Sequence, residues 1–257
     1  MTLITMEKDG FVALAKINHP PANALSSKLI EEVDQLLTKV EQDEHVRVVI
    51  LYGEGRFFSA GADIKEFTSV ESGEAFSKMS ANGQKVFERL ENFPKPVIAS
   101  IHGAALGGGL ELAMACHIRL VTKSSKLGLP ELQLGLIPGF AGTQRLPRLV
   151  GVAKAAEMML TSDPISGEHA VQWGLANHAF DDEELMENTL NFAKKLANKS
   201  PIAVKHALHM LSYSKNQSFY DGVEAEAKSF GEVFGSNDAK EGIQAFIEKR
   251  QPTFTGK

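Results

Sequence analysis

The chain predicts an α/β protein whose strands pair mostly in parallel, closed by a run of helices. Three observations carry that prediction. Runs at residues 46–51 and 97–101, apolar but for Arg47 and Ser100, read as strands buried on both faces. Helical patterns stand between such runs, and strand–helix alternation implies crossovers and parallel pairing. Beyond Pro138 the strand signal yields to helical periodicity as far as the C-terminal end.

Each element has its own signal. Residues 3–7 and 11–17 flank the turn Lys8-Asp9-Gly10 as a hairpin. Prolines in the loop 19–24 exclude regular structure there. Leu29, Val33, Leu36, Leu37 and Val40 recur at helical spacing behind Ser26 or Ser27 as the cap. Residues 56–63 form a glycine-punctuated loop, and 72–91 are helical in pattern. Pro94-Lys95-Pro96 stops that helix and launches the strand 97–101. A small-residue helix from about 109 to 116 leads into a strand at 117–122. The β-β-α rhythm thus recurs along the first half. Helices follow at 152–160, 167–173, 182–198, 219–234 and 238–249. One more begins at Ser200-Pro201, where proline is tolerated in the first turn, and runs to about residue 211. The expected division is a core of residues 1–199 and a C-terminal helical region of residues 200–257.

Hydrophobic content of 43% and charged content of 23% suit an ordinary soluble globular protein. A net charge of −5 offers no general attraction to nucleic acid or anionic membrane. Cys116, the single cysteine, cannot close an internal disulfide, which fits a reducing compartment. Neither a signal-peptide pattern nor a membrane-length apolar run is visible, so the expected location is cytoplasmic.

Chemistry concentrates in two glycine-rich loops and two glutamates. Residues 57–65 follow a buried strand, and Gly107-Gly108-Gly109 follows another before opening a helix. Glycine lets backbone N–H groups approach a ligand, and a helix start adds unpaired N–H groups and a positive dipole end. Two such loops at neighbouring strand ends can hold one carbonyl oxygen between two donors as an oxyanion hole. The same runs also serve tight turns or close helix packing, and the residues alone leave both readings open. Glu111 lies in the apolar stretch Leu110-Glu111-Leu112-Ala113, and Glu131 in Leu129-Pro130-Glu131-Leu132. A buried carboxylate has its pKa raised by desolvation, and two in unlike environments can divide acid and base roles. Exposed glutamates on a helix and a loop are the plainer alternative. His102 and His117 lack metal-ligand spacing and read as structural. Cys116 reads as a packed thiol, and Trp173, Met158 and Met159 as core or pocket lining.

Residues 58–66, 103–113 and Pro130-Glu131 resemble the signatures of the enoyl-CoA hydratase/isomerase (crotonase) family. Residues 135–139, 142–147, Gly174-Leu175 and 245–250 extend the likeness over nearly the whole chain, in order and spacing. The resemblance implies a crotonase (ClpP-like) spiral of repeated ββα units with a C-terminal helical trimerisation region, assembled as a homotrimer or dimer of trimers. It implies enoyl-CoA hydratase activity of fatty-acid β-oxidation type, on an acyl-CoA thioester. No cofactor beyond the substrate's own CoA, no metal, no nucleic acid and no membrane partner are implied. Carried over by position, the oxyanion hole is Ala62 and Gly108, the catalytic pair is Glu111 and Glu131, and Gly139 positions the water. Ala24, Ala60, Ala62 and Ile64 surround the CoA. Arg56 and Lys65 stand near enough in sequence to meet its phosphates, and Lys249 reaches one across a subunit boundary. Two departures stand out. Pro20-Pro21 replaces a lysine found in some hydratases, which implies one phosphate contact fewer, and Ala141 replaces a common glycine. Isomerisation of 3-enoyl to 2-enoyl-CoA, which needs only the second glutamate, and a non-catalytic acyl-CoA- or RNA-binding role are the alternatives.

Overall fold

The computed structural model describes residues 2–68 and 70–257. The predicted hairpin forms from β1 (Ile4–Asp9) and β2 (Val12–Ile17), paired antiparallel. Helix α1 (Ser27–Glu41) starts where Ser26 accepts a hydrogen bond from the Leu29 N–H at 3.2 Å. Strand β3 (Val48–Gly53) leads through the glycine-punctuated loop to a short helix α2 (Ile64–Phe67), which the sequence pattern does not announce. Helix α3 (Gly73–Glu91), capped by Ser72, precedes β4 (Val97–Ile101), β5 (Ala104–Leu106), α4 (Gly108–Ala115), β6 (Ile118–Thr122) and β7 (Lys126–Gly128).

A 3-10 turn at Glu131–Leu134 opens the second half. It is followed by α5 (Gly142–Val150), α6 (Val152–Thr161), β8 (Ile165–Ser166), α7 (Gly167–Gln172), β9 (His178–Phe180) and α8 (Leu185–Ala197). Three helices close the chain: α9 (Pro201–Asn216), α10 (Phe219–Phe234) and α11 (Asn237–Glu248). Besides α2, the unforeseen elements include β5, β7, β8 and β9, each of two or three residues, and α5, whose Pro147 masks a helical pattern.

The main sheet has the order β1-β2-β3-β4-β6-β9, and every pair except β1–β2 is parallel. A second sheet, β5-β7-β8, joins one parallel and one antiparallel pair. The period-two alternation of β3 explains its unbroken apolar run. Val49 and Leu51 enter the larger core with α1, α3 and α4, whereas Val48 and Ile50 pack on the other face against Leu185, Ala193 and Ala197 of α8. Parallel pairing places successive strand ends, and the loops that leave them, side by side. That brings residues 59–62 and 105–108 together: isolated bridges join Ser59 to Ala105 and Leu25 to Ala62.

The last helices leave large apolar side chains in solvent, among them Phe219, Tyr220, Phe230 and Phe246, the last 85% exposed. The chain end is tied down nonetheless. Arg47 donates to the carbonyls of Ala197 and Phe254, and Asp238 accepts from Ser200, Thr255 and Gly256. Among the described residues no helix is long and apolar enough to cross a membrane.

Candidate active site

A cavity of about 170 Å3 opens where the two glycine-rich loops meet the start of α4, the 3-10 turn and the loop before α5. Ala60, Ala62, Ile64, Gly108, Glu111, Glu131 and Gly139 all line it, so residues spread from position 60 to position 139 converge on one space. Arg56, Lys65, Ala24 and Lys249 are not in that lining. Arg56 is exposed with its guanidinium 5.2 Å from the Phe57 ring centroid, Lys65 and Lys249 are exposed, and the Ala24 carbonyl accepts from His19 Nδ1 at 2.7 Å.

The oxyanion donors follow from local backbone. In the Leu25–Ala62 bridge the bonds run from Leu25 N–H to Gly61 and from Asp63 N–H to Leu25, so the Ala62 N–H points away from it. Gly108 is the first residue of α4, where N–H groups lack intrahelical acceptors. Neither N–H has a protein acceptor among the described residues. Gly107, at the cap, adopts φ +50, and a Cβ there would stand 3.0 Å from Glu131 Oε1. Glycine is required by conformation and by the carboxylate beside it.

Glu111 is 1% exposed, in the first turn of α4. Its Oε1 accepts from the Phe140 N–H at 2.8 Å and the Gly142 N–H at 2.6 Å. Burial nevertheless pushes its pKa up to about 7, outweighing those two donors, and Glu131 adds to the rise. Glu131 opens the 3-10 turn, half-buried, and burial raises its pKa too. Its Oε2 is buried without a protein partner among the described residues, an orphan that calls for a ligand or water.

The loop that clamps Glu111 is itself held. Gln84 Nε2 donates to the Gly139 carbonyl at 2.8 Å, and Ser80 Oγ donates to the same oxygen. The Gly139 N–H has no protein acceptor among the described residues and remains for a ligand. Arg145 Nη1 donates to the Phe140 carbonyl at 2.7 Å, while its Nε pairs with Glu91 at 2.9 Å. Ser80 and Gln84 carry no motif signal of their own, and Arg145 lies in the matched stretch 142–147 without a role evident there; the fold reveals what all three hold. An apolar rim of Ile64, Leu134, Leu136 and Ile137, the last 73% exposed, borders the opening.

Other expectations divide. Cys116 is buried with its thiol pushed up to about 12, a packed and inert group. Met158 belongs to the core, and Met159 packs against it. Trp173 does neither of the things expected of it: it is 42% exposed, off the cavity, under the Lys154 ammonium at 4.3 Å.

Two donors for one oxygen, beside two carboxylates of raised pKa, suit stabilising an enolate-like charge while a proton moves. Comparisons with known proteins agree. A family model described as enoyl-CoA hydratase/isomerase matches residues 7–257. The chain is 56% identical to a probable enoyl-CoA hydratase of Bacillus subtilis, over 100% of both chains. It is 41% identical to the short-chain-enoyl-CoA hydratase of Clostridium acetobutylicum, over 96% of this chain and 95% of that one. The crystal structure of enoyl-CoA hydratase from Bacillus anthracis superposes with TM-score 0.94 at 38% identity, over 100% of both chains. The chain folds as a crotonase-type spiral and belongs to the enoyl-CoA hydratase/isomerase family.

Proposed function

We propose that the protein hydrates trans-2-enoyl-CoA to 3-hydroxyacyl-CoA, and that the two glutamates act as one unit. The observation that carries this is the convergence of two unpaired N–H groups and two raised-pKa carboxylates on a single cavity. Ala62 and Gly108 donate to the thioester oxygen and stabilise the charge that forms there as water attacks Cβ. Glu111, with Oε1 immobilised, takes a proton from that water, and Glu131 gives one to Cα. The pair therefore begins and ends with a single proton, so its titration belongs to both groups together. Gly139 offers its N–H to the water, and the apolar rim accepts the acyl and pantetheine portions.

CoA phosphates need cations, and Arg56 and Lys65 stand exposed beside the loop that carries Ala60 and Ala62. Ala24 and Ala60 flank the same strand ends and suit the adenine. Lys249 lies on the C-terminal region, and we assign it to a neighbouring subunit's CoA. That assignment goes with a homotrimer or dimer of trimers in which residues 200–257 bury their exposed aromatic side chains. A short acyl chain suits a cavity of this volume. Fatty-acid breakdown in the cytoplasm is the setting that best fits these features. Isomerisation alone leaves the clamp on Glu111 without a purpose, which favours hydration.

The test follows the conjugated enoyl-thioester absorbance of crotonyl-CoA in the wild type, Glu111→Gln and Glu131→Gln. Hydration predicts robust loss of absorbance that collapses in both variants. A wild type that binds CoA yet hydrates neither crotonyl-CoA nor longer enoyl-CoAs would sink the proposal.

A further inference from the structure

Helix α3 lays one stripe along the loop that clamps Glu111. Phe76, Met79, Ser80, Gly83, Gln84 and Phe87 recur three and four residues apart, so they share one face. The first three line the cavity. A Cβ at Gly83 would run into the Phe140 ring, and Phe87 meets that ring at 5.3 Å between centroids. Ser80 Oγ and Gln84 Nε2 both donate to the Gly139 carbonyl, the second at 2.8 Å. Gln84 Nε2 also reaches Ser80 Oγ at 3.4 Å.

That carbonyl belongs to the same planar peptide unit as the Phe140 N–H, which donates to Glu111 Oε1. A donor on a peptide oxygen polarises the unit and strengthens its N–H as a donor in turn. The other clamping unit shows the same pattern. Its N–H is that of Gly142, and its oxygen, on Ala141, accepts from the Gln144 and Arg145 N–H groups at 3.0 and 2.9 Å. There the donors are backbone, from the start of α5. At the Phe140 unit they are side chains, so they can be removed one at a time.

We propose that Ser80 and Gln84 are positioning residues for Glu111, acting through the peptide that joins Gly139 to Phe140. They fix the direction of its N–H and make it a stronger donor, which favours the ionised, water-activating form of Glu111. Burial pushes the Glu111 pKa up to about 7, and Glu131 adds to the rise, against the two N–H groups and the Arg145 charge. The α3 stripe carries no charge of its own. Removing its donors therefore leaves the ionic surroundings of Glu111 intact. The kinetic part of this proposal rests on the hydratase reading; the effect on ionisation does not.

Ser80→Thr and Ser80→Val share one shape and differ in a single O–H, while Gln84→Met removes the amide at similar length. The full-length protein is followed by crotonyl-CoA kinetics across pH and by 13C titration of the Glu111 carboxyl, assigned through its absence in Glu111→Gln. Ser80→Val combined with Gln84→Met should lower kcat about 3–10-fold, as loss of roughly one net hydrogen bond implies. KM should stay within about twofold, because the lost interaction does not bind substrate. The Glu111 titration should move up by roughly 0.3–0.7 pH unit, since each missing bond weakens the next by about 10–30%. The alkaline decline of kcat/KM should move with it, which a merely structural role would not cause. Ser80→Thr should exceed Ser80→Val in kcat by about twofold or more.

A titration that stays in place or moves to lower pH in the double variant overturns the proposal. Equal turnover of Ser80→Thr and Ser80→Val, or a loss confined to KM, overturns it as well. Should the double variant unfold, the two Ser80 variants decide by the same readings. If the wild type does not hydrate crotonyl-CoA, the hydratase reading fails, and the direction of the Glu111 titration alone decides this one.

Discussion

Glu111 projects from a buried helix with one oxygen held by two backbone N–H groups, whereas Glu131 stands on a single 3-10 turn with an oxygen that no protein group satisfies. Both are desolvated, yet they are built for different tolerances. The first is fixed in direction and pays little attention to what enters the cavity; the second is completed only by what enters. A site that must hold a water and also pass a proton to carbon uses one rigid and one unsatisfied carboxylate.

The largest test of this contrast is replacement by glutamine. Each of Glu111→Gln and Glu131→Gln should lower crotonyl-CoA turnover by about 10²–10⁴ or more, but their stabilities should diverge. Glu111 binds its proton more tightly folded than unfolded, since its pKa rises from 4.5 to about 7. The fold therefore loses stability as pH climbs through that window, and the loss is complete above it. Glutamine cannot ionise, and its oxygen can still accept from Phe140 and Gly142. Glu111→Gln should thus melt above the wild type at pH 8, by up to roughly 3 kcal/mol, with the advantage gone below pH 4. A lower melting temperature at pH 8 would show that the carboxylate is not held against its own desolvation.

Gly142→Ala attacks the clamp and leaves both carboxylates in place. A Cβ there would lie 2.8 Å from Glu111 Oε1 and 3.0 Å from Pro138 Cβ, so the Glu111 carboxylate must shift to make room. We expect kcat to fall about 10–100-fold with KM nearly unchanged, because a small misplacement at the reacting centre is costly. If the variant keeps full kcat, the two N–H bonds do not orient Glu111 for the reaction.

Protonation gives a subtler test. A pair that works with one proton loses activity as its last proton leaves, so kcat/KM should decline above about pH 7, where Glu111 titrates. Glu131 raises that pKa, so Glu131→Gln should move the 13C-detected titration of the Glu111 carboxyl to lower pH. No movement would mean that the carboxylates do not sense each other.

How far the sequence reveals this arrangement depends on the range of the forces involved. Helix α1 is legible because its apolar residues repeat every turn and its cap is adjacent. Glu111 and Glu131 are legible as carboxylates in apolar stretches, and the glycine runs as places where backbone meets ligand. The two-residue strand β8 carries too little pattern to stand out, and it forms because β7 is already beside it. Ser80 and Gln84 are ordinary surface-like letters, and Arg145 a motif residue without an evident role, until α3 and α5 pack on the catalytic loop.

Ala141 shows where a sequence departure becomes a structural one. It lies between the two residues whose N–H groups clamp Glu111, with φ +66, in the left-handed region. An L-residue with a Cβ is strained there by about 1–2 kcal/mol relative to the right-handed form, and glycine is not. The turn is what aims successive N–H groups at one oxygen, so the strain is retained by the clamp. Ala141→Gly removes the strain but frees the unfolded chain, which offsets about 0.4–1 kcal/mol of the gain. The expected net is a stabilisation of up to about 1 kcal/mol in denaturant melts, with kcat within about twofold of wild type. A variant that is destabilised, or that loses activity as Gly142→Ala does, would mean that the alanine methyl itself props the clamp. The rigidity of Glu111 would then come from side-chain packing rather than from the backbone turn.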